Sequence, residues 1–498
     1  MSRALRRRWP LLSVLAVAAL ARLWGLGAPA LIGDEAYYWL WSKRLALSYY
    51  DHPSGVALLV GLSRWLGGEG ELGVRWFNAA LGLATVWLSY ALGERLFSRR
   101  AALIASACVA VAAPYLVTSR FAYGDALQHA LLVGNLCLLL PFLEEERSRL
   151  GTWRFWTLGL TMALLLNTKY GAYLYAAAVL SLFLTWRRDL LRDRRSLLAI
   201  GIALIGLLPT LLWNAAHGWA SFRWQIAHAT SGAVADAGIL ANLHHFVSYF
   251  TPPVMLLAFP AVLAFRRPRQ RIFLLLGLLL VVPVLLSPAN SPRSATAGML
   301  LLLILGVGCA HESLVRLTPA VVSPALGILL AATALYGAGT VRTTLAPTRL
   351  PHAPVADALR LQGAGWRQAR ALPIERGATV FAVDYGLPAL LGYYGGYDAY
   401  SAWGQYRLWG VPAFQDATII ALPYVDPKVV GERLRASFRE SSGPVAFSLR
   451  DESGAQELLI WRGAGRKVGM DTFLDLFDLM QLIGAGKTSP GAPGAGAR

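Results

Sequence analysis

The feature that most limits what this chain can fold into is a series of apolar runs, most of them about 17 to 25 residues long, that alternate with short arginine-rich connectors. They begin near residue 9 and continue to about residue 340, at roughly 9–28, 75–97, 101–119, 125–143, 154–168, 171–186, 196–213, 242–265, 271–288, 294–311 and 319–340. Hydrophobic residues make up 56% of the 498 and charged residues only 15%. That balance leaves more apolar surface than a soluble core hides, so a bilayer is the expected solvent. The expectation is a mainly α, polytopic transmembrane bundle of about eleven helices.

The net charge of +18 would fit a nucleic-acid partner, but the arginines sit between the apolar runs, where membrane topology places them. Nucleic-acid binding is therefore excluded. Cys108, Cys137 and Cys309 all lie inside apolar runs and read as small buried hydrophobes. Arg3, Arg6, Arg7 and Arg8 precede the run from Trp9 to Gly27, a signal-peptide-like start. The run is long enough to span and no small-residue cleavage site follows it, so it is taken as the first span.

With the N-terminus in the cytoplasm, the inner connectors carry Arg95, Arg99 and Arg100, then Arg147, Arg149 and Arg154, then Arg187 to Arg195, then Arg266 to Arg271. The short outer connectors offer one cation each, Arg120, Lys169 and Arg293, so one orientation satisfies the positive-inside bias along the whole chain. The weakest crossing is the pair of spans divided at Asn167 to Tyr170. An odd number of spans puts residues 341–483 outside, where β-type runs at 379–383, 445–449 and 458–461 mix with helical ones at 355–361 and 429–438. These predict a small α/β domain, followed by a Gly-, Ala- and Pro-rich tail at 484–498 that is expected to be disordered. The membrane domain is then 1–340, with a first outer loop at 29–74, in the plasma (inner) membrane of a bacterium.

That loop is too long for a turn and too aromatic for a flexible tether. Gly33-Asp34-Glu35-Ala36-Tyr37-Tyr38-Trp39-Leu40-Trp41 leads into residues 36–47, which fit a short interfacial helix, and Tyr49-Tyr50-Asp51-His52-Pro53 follows. An Asp-Glu pair after the first span, an aromatic helix and this second turn resemble the first outer loop of family 39 glycosyltransferases, within the C-type integral membrane superfamily. Protein O-mannosyltransferases and lipid A aminoarabinose transferases are members. Tyr123-Gly124-Asp125, Lys169-Tyr170 and the stretch from Trp213 to Phe222 fit in the same order and on the same side.

The resemblance implies an inverting transferase that moves a sugar from a polyprenyl-phosphate donor to a lipid, glycan or protein acceptor at the outer face, among membrane lipids. It implies that Asp34 is the general base or orients the acceptor, although an Asp before a helix is as readily an N-cap. Glu35 and Asp125 are the further candidate acids. Glu35 also suits the positive end of its helix, and Asp125 has a capping alternative and Arg120 or Lys169 as partner. Tyr38, Tyr50, His52, Lys169 and Tyr170 are expected around the donor, with Lys169 at its phosphate. His52 stands where the aminoarabinose transferases have Lys. Arg22 either snorkels to the interface or pairs with Asp34 or a phosphate, and Arg223 faces a donor or a lipid headgroup equally well. The cofactor requirement is none or a divalent metal, for which Asp51 and His228 are the candidate ligands; without closer ligand spacing the histidines are a weak metal signal. A multi-span transporter or flippase is the alternative, but the charges gather on one face and no inverted repeat is visible.

Overall fold

The structure is a computed structural model that describes residues 3–230, 238–286, 291–375, 377–452 and 454–478. The Gly-rich tail expected at 484–498 lies outside the described residues. The chain is mainly helical, with one small sheet near its C-terminus. It divides into two compact units, Met1–Ala28 with Ser42–Asp357, and Pro29–Trp41 with Ala358–Arg498. The first part of the long loop, which the sequence reading kept together as 29–74, thus groups with the C-terminal residues.

All eleven apolar runs of the sequence are helical. Among the described residues, five helices are long and apolar enough to cross a bilayer: Asp125–Glu144, Arg194–Ala216, Pro268–Leu286, Pro292–Leu314 and Pro319–Leu345. Counting two bent pairs as one span each raises the number to seven. One pair, Arg99–Val111 with Ala113–Arg120, turns by 56° at Ala112, just before Pro114. Proline at the second position of the new helix suits that break, because its missing N–H has no partner there. The other pair, Leu240–Phe250 with Pro252–Arg266, turns by 95° at Thr251. The expected fifth and sixth spans are Thr152–Leu166 and Gly171–Thr185, 15 residues each. A straight helix of that length reaches only about 22 Å, short of a hydrocarbon core of about 30 Å.

Every residue of Thr296–Cys309 is buried, so this helix is the axis of the membrane unit. Its sequence is apolar all round, as a helix without a solvent face must be. Neighbouring helices close by small-residue contacts. Gly337 is one: a Cβ there would lie 1.9 Å from the Val111 carbonyl oxygen, so only glycine lets the backbones meet. The expected cytoplasmic connectors are tied by ion pairs. Asp193 holds Arg195 at 2.7 Å and Arg147 at 3.0 Å, and the Arg195 hydrogen bonds keep its carboxyl well below the usual range.

In the other unit the strands are β1 (Thr379–Ala382), β2 (Ala399–Tyr400), β3 (Ala417–Ala421), β4 (Phe438–Asp451) and β5 (Gly454–Arg466). Their order is β2-β1-β3-β5-β4; β1 runs parallel to β2 and β3, and the β3/β5 and β4/β5 pairs are antiparallel. Phe381, Ile419 and Trp461 from the sheet pack with Phe414, Phe438, Phe473 and Phe477. Edge-to-face rings dominate that core, with Phe381 and Phe473 at 4.9 Å and 78°.

Candidate active site

Gly33–Lys43 is the aromatic helix, three residues earlier than the 36–47 read from the sequence. Glu35 explains the early start. It is fully buried, and its Oε2 accepts the Ile32 N–H at 3.2 Å, which gives it the work of closing the helix start. Asp34, one residue earlier, is directed elsewhere: its Oδ1 accepts the Tyr385 hydroxyl at 2.5 Å. The Tyr385 ring packs against Tyr37 at 5.3 Å and Trp403 at 5.3 Å. Its carbonyl accepts the Tyr406 hydroxyl at 3.0 Å. Tyr38 is buried on the same helix against Trp41, 5.1 Å between rings.

Asp384 precedes Tyr385 and accepts the Gly386 N–H at 2.6 Å, the Leu387 N–H at 3.3 Å and the Tyr424 hydroxyl at 2.7 Å. Burial pushes its pKa above the ordinary carboxylate value; the three donors oppose the rise and the charge of Asp34 adds to it. The Tyr385 phenol is likewise raised, by burial first and then by the charges of Asp34 and Asp384. Gly386 crosses Gly33 so closely that a Cβ on Gly386 would lie 2.7 Å from the Gly33 Cα. Asp384, Tyr385 and Tyr424 were invisible to sequence reasoning, since a single Asp-Tyr-Gly after a short strand carries no motif.

In the membrane unit, Asp125 opens its helix behind the left-handed Gly124 and is buried. Its Oδ1 meets the Lys169 Nζ at 2.5 Å, and the Arg293 Nε lies 3.9 Å from Oδ2. Of the two cations expected as its partner, Lys169 takes the place. Arg120 is instead buried and donates to the carbonyls of Ala21, Arg22 and Trp24. Arg293, which sequence analysis counted only as a connector charge, also stacks over the Tyr123 ring at 4.0 Å. His129 sits one turn after Asp125 and bonds Thr296 Oγ1 at 2.9 Å.

The remaining sequence candidates take other places. Arg22 does not snorkel: it is buried, and its guanidinium donates to the carbonyls of Ala18, Val109 and Ala110. The last two carbonyls belong to the C-terminal turn before the Ala112 bend, where helical partners run out. Tyr50 packs on Trp224 at 5.8 Å, and the carbonyl of Asp51 accepts the Gln225 amide at 2.8 Å. The His52 carbonyl accepts the Tyr49 N–H at 3.0 Å, closing the turn. Tyr170 packs on Tyr173 and Phe222, and Arg223 is exposed. The side chain of His228 lies outside the described residues. Among the described residues no three His, Cys, Asp or Glu side chains converge, so they do not complete a metal site around Asp51.

Two elements of this unit were not anticipated. Gly55–Gly67 forms a second, apolar helix within residues 29–74, read from the sequence as one loop. An apolar groove of about 310 Å³ runs between Thr152–Leu166, Gly171–Thr185 and Arg194–Ile205, lined by Leu158, Met162, Tyr173, Leu180 and Ile200 among others.

Comparison with known proteins follows the same outline. Residues 51–213 match the family described as dolichyl-phosphate-mannose-protein mannosyltransferase. Lipid A galacturonosyltransferase RgtD of Rhizobium johnstonii is 26% identical over 200 residues, 39% of this chain and 41% of that protein. The match thus spans less than half the relative's length. Among solved structures, ArnT from Cupriavidus metallidurans in its apo state superposes with a TM-score of 0.60 at 15% identity, over 91% of this chain and 98% of that one. The same protein bound to undecaprenyl phosphate gives 0.59 over the same shares. The oligosaccharyltransferase AglB from Archaeoglobus fulgidus, in complex with an inhibitory peptide and a dolichol-phosphate, gives 0.51 at 12% identity, over 84% and 70%. At these identities the likeness to solved structures is one of fold.

Proposed function

We propose that the chain is a C-type integral membrane glycosyltransferase of family 39 and transfers a hexose or pentose, with inversion, from a polyprenyl phosphate to an acceptor at the outer membrane face. The observation that carries the reading is the meeting of Lys169 and Arg293 on the single buried carboxylate of Asp125. Two cations thus gather at one helix end, and fixed cations suit a phosphodiester, whose leaving oxygen gains charge as its bond to the sugar breaks. ArnT, similar in fold, has been solved with undecaprenyl phosphate. The apolar groove of the membrane unit offers a path for such a tail.

In this reading Asp34 takes the proton of the acceptor hydroxyl as that oxygen attacks the anomeric carbon. The bond from that carbon to the phosphate oxygen breaks, and its electron pair leaves with the polyprenyl phosphate. Glu35 and Arg22 serve the fold. The N-terminus lies in the cytoplasm and residues 358–478 lie outside, in a bacterial inner membrane, where the acceptor is a lipid, a glycan or a protein.

The test is release of free polyprenyl phosphate from an undecaprenyl-phosphate sugar by the purified full chain in detergent, with candidate acceptors added singly. Asp34→Asn should abolish release while the protein remains monodisperse and binds the donor. Movement of the intact donor across proteoliposomes without cleavage would instead make the protein a flippase.

A further inference from the structure

The C-terminal unit holds a concavity that the transfer reaction does not use. A polar cleft of about 720 Å³ opens beside the starts of β1 and β3, a volume within the range of small-molecule sites. Thr379 begins β1 at the cleft, whereas Asp384 and Tyr385, which meets Asp34, follow the other end of that strand. The four residues of β1 alone put about 10 Å between the two places.

The lining follows from the register of three adjacent strands, β3, β5 and β4. Thr418, Arg462 and Ser442 stand directly opposite one another, so their side chains share one face of the sheet. Two residues further along β5, Ala464 is opposite Glu440 of β4. Asp416 reaches the same end of β5 from the β3 side, where its Oδ1 accepts the Gly465 N–H at 2.8 Å. One row thus carries a hydroxyl, a guanidinium and a hydroxyl; the next carries two carboxylates on either side of a methyl group, which leaves the space between the acids open.

The fold does not use these groups up. Thr418 is only 5% exposed, yet its hydroxyl has no partner among the described residues, and neither has the Ser442 hydroxyl or the Glu440 carboxylate. A hydroxyl so buried calls for a partner from outside the protein. Arg462 is tied to Glu375 at 3.4 Å and to the Pro373 carbonyl at 3.4 Å, both in the segment before β1. A guanidinium has five N–H groups, so donors remain for a ligand.

The chemistry of the lining selects that ligand. Carboxylates only accept hydrogen bonds, a guanidinium only donates them, and serine and threonine hydroxyls do both. The partner must therefore present donors and acceptors side by side, as the hydroxyls of a sugar ring do. Glu375, Asp416 and Glu440 outnumber Arg462, so an anion such as a phosphate would be repelled. Among the described residues no three carboxylates converge, so they do not form a cation site. A peptide strand adds to a sheet edge, whereas these groups stand on a face.

We propose that the cleft is a binding site for a neutral saccharide, separate from the place of transfer: Asp416 and Glu440 accept hydrogen bonds from ring hydroxyls, and Arg462 and Thr418 donate to them. The sugar held there is not the reacting one, so the site retains a glycan-bearing molecule at the C-terminal unit. It stands whether or not Asp34 is the base.

The test applies the full chain in lipid nanodiscs, because alkyl maltoside detergents carry a sugar of their own, to an array of neutral, anionic and amino-sugar glycans and extended peptides. Calorimetry then gives the Kd of the tightest-binding neutral oligosaccharide. Neutral glycans should bind without added divalent cation. Glu440→Gln should raise the Kd about tenfold and Thr418→Val about threefold or more, with thermal midpoints unchanged. Ala464→Phe fills the space between the acids and should abolish binding; Glu440→Gln, at an exposed position, decides the matter if that variant fails to fold. Absence of binding to every neutral glycan, a preference for anionic glycans or peptides, or a Kd unmoved by Glu440→Gln and Thr418→Val would overturn the proposal. Asp34→Asn should bind the same oligosaccharide as the parent chain, and loss of binding there would overturn the separation of the two sites.

Discussion

The sharpest quantitative expectation concerns Lys169. Its ammonium sits 2.5 Å from Asp125 Oδ1, and the Arg293 Nε is 3.9 Å from Oδ2. At an effective dielectric of about 20 these separations correspond to gross attractions of about 7 and about 4 kcal/mol. Most of that offsets desolvation, since the Asp125 side chain is 1% exposed and that of Lys169 is 14%. The net cost of breaking such a pair comes from the charge left behind, about 3 to 5 kcal/mol for a buried ion. Only Lys169 is within hydrogen-bonding reach, and a bond to a charged group adds about 1.5 to 3 kcal/mol. Lys169→Met should therefore cost about 3 to 5 kcal/mol and Arg293→Met about 1 to 2 kcal/mol. In Asp125→Asn with Lys169→Met neither member of the close pair is charged, so the double variant should recover much of the loss. The assay is apparent thermal unfolding of the full chain in one detergent, followed by tryptophan fluorescence, on all variants together. Additive single effects in the double variant, or a larger loss from Arg293→Met than from Lys169→Met, would refute the assignment of Lys169 as the principal counter-ion.

Two further outcomes can be measured on the same preparations. A Cβ on Gly386 meets backbone atoms of Gly33 at 2.7 and 2.9 Å, whereas a Cβ on Gly33 meets the Gly386 Cα at 3.4 Å; Gly386→Ala should lose about 1 to 3 kcal/mol and Gly33→Ala clearly less, and equal midpoints would contradict the crossing. His352 Nε2 stands 2.6 Å from Asp357, and although burial works against its charge, the Leu350 carbonyl and Asp357 raise its pKa above the ordinary 6.5. A raised histidine contributes stability that is full below 6.5 and is lost as pH rises through the folded value, so His352→Gln should lower the midpoint at pH 6 and hardly at pH 9; the same loss at both would remove the ion pair from the account.

What the sequence disclosed depends on how local the determinant is. Apolar length is local, and all eleven runs are helices, including the pair separated at Asn167 to Tyr170. Whether each helix is long enough to span is less local, because bends such as those at Ala112 and Thr251 depend on neighbours. The pairing of Asp125 with Lys169 was among the alternatives because both flank helix ends expected on one side. Arg293 joins them from a helix start 124 residues beyond Lys169, which no spacing rule foresees. Arg22 and Arg120 looked like outer-face charges, but both bond main-chain carbonyls at helix ends, a fate set by the bundle and not by their neighbours in sequence. The resemblance to a family brought Asp34 forward and was silent on Tyr385, because a phenol placed by tertiary packing leaves no trace in the sequence beside the acid it meets.

The grouping of Pro29–Trp41 with Ala358–Arg498 has a consequence for synthesis of the chain. The aromatic helix leaves the ribosome before its partners, which follow roughly 350 residues later, at ~10 residues per second about half a minute. Through that interval Tyr37, Tyr38, Trp39 and Trp41 have none of the side chains that later enclose them within their unit. A segment of such aromatic composition suits a lipid surface, so the order of translation makes the membrane the expected temporary partner of Asp34's helix.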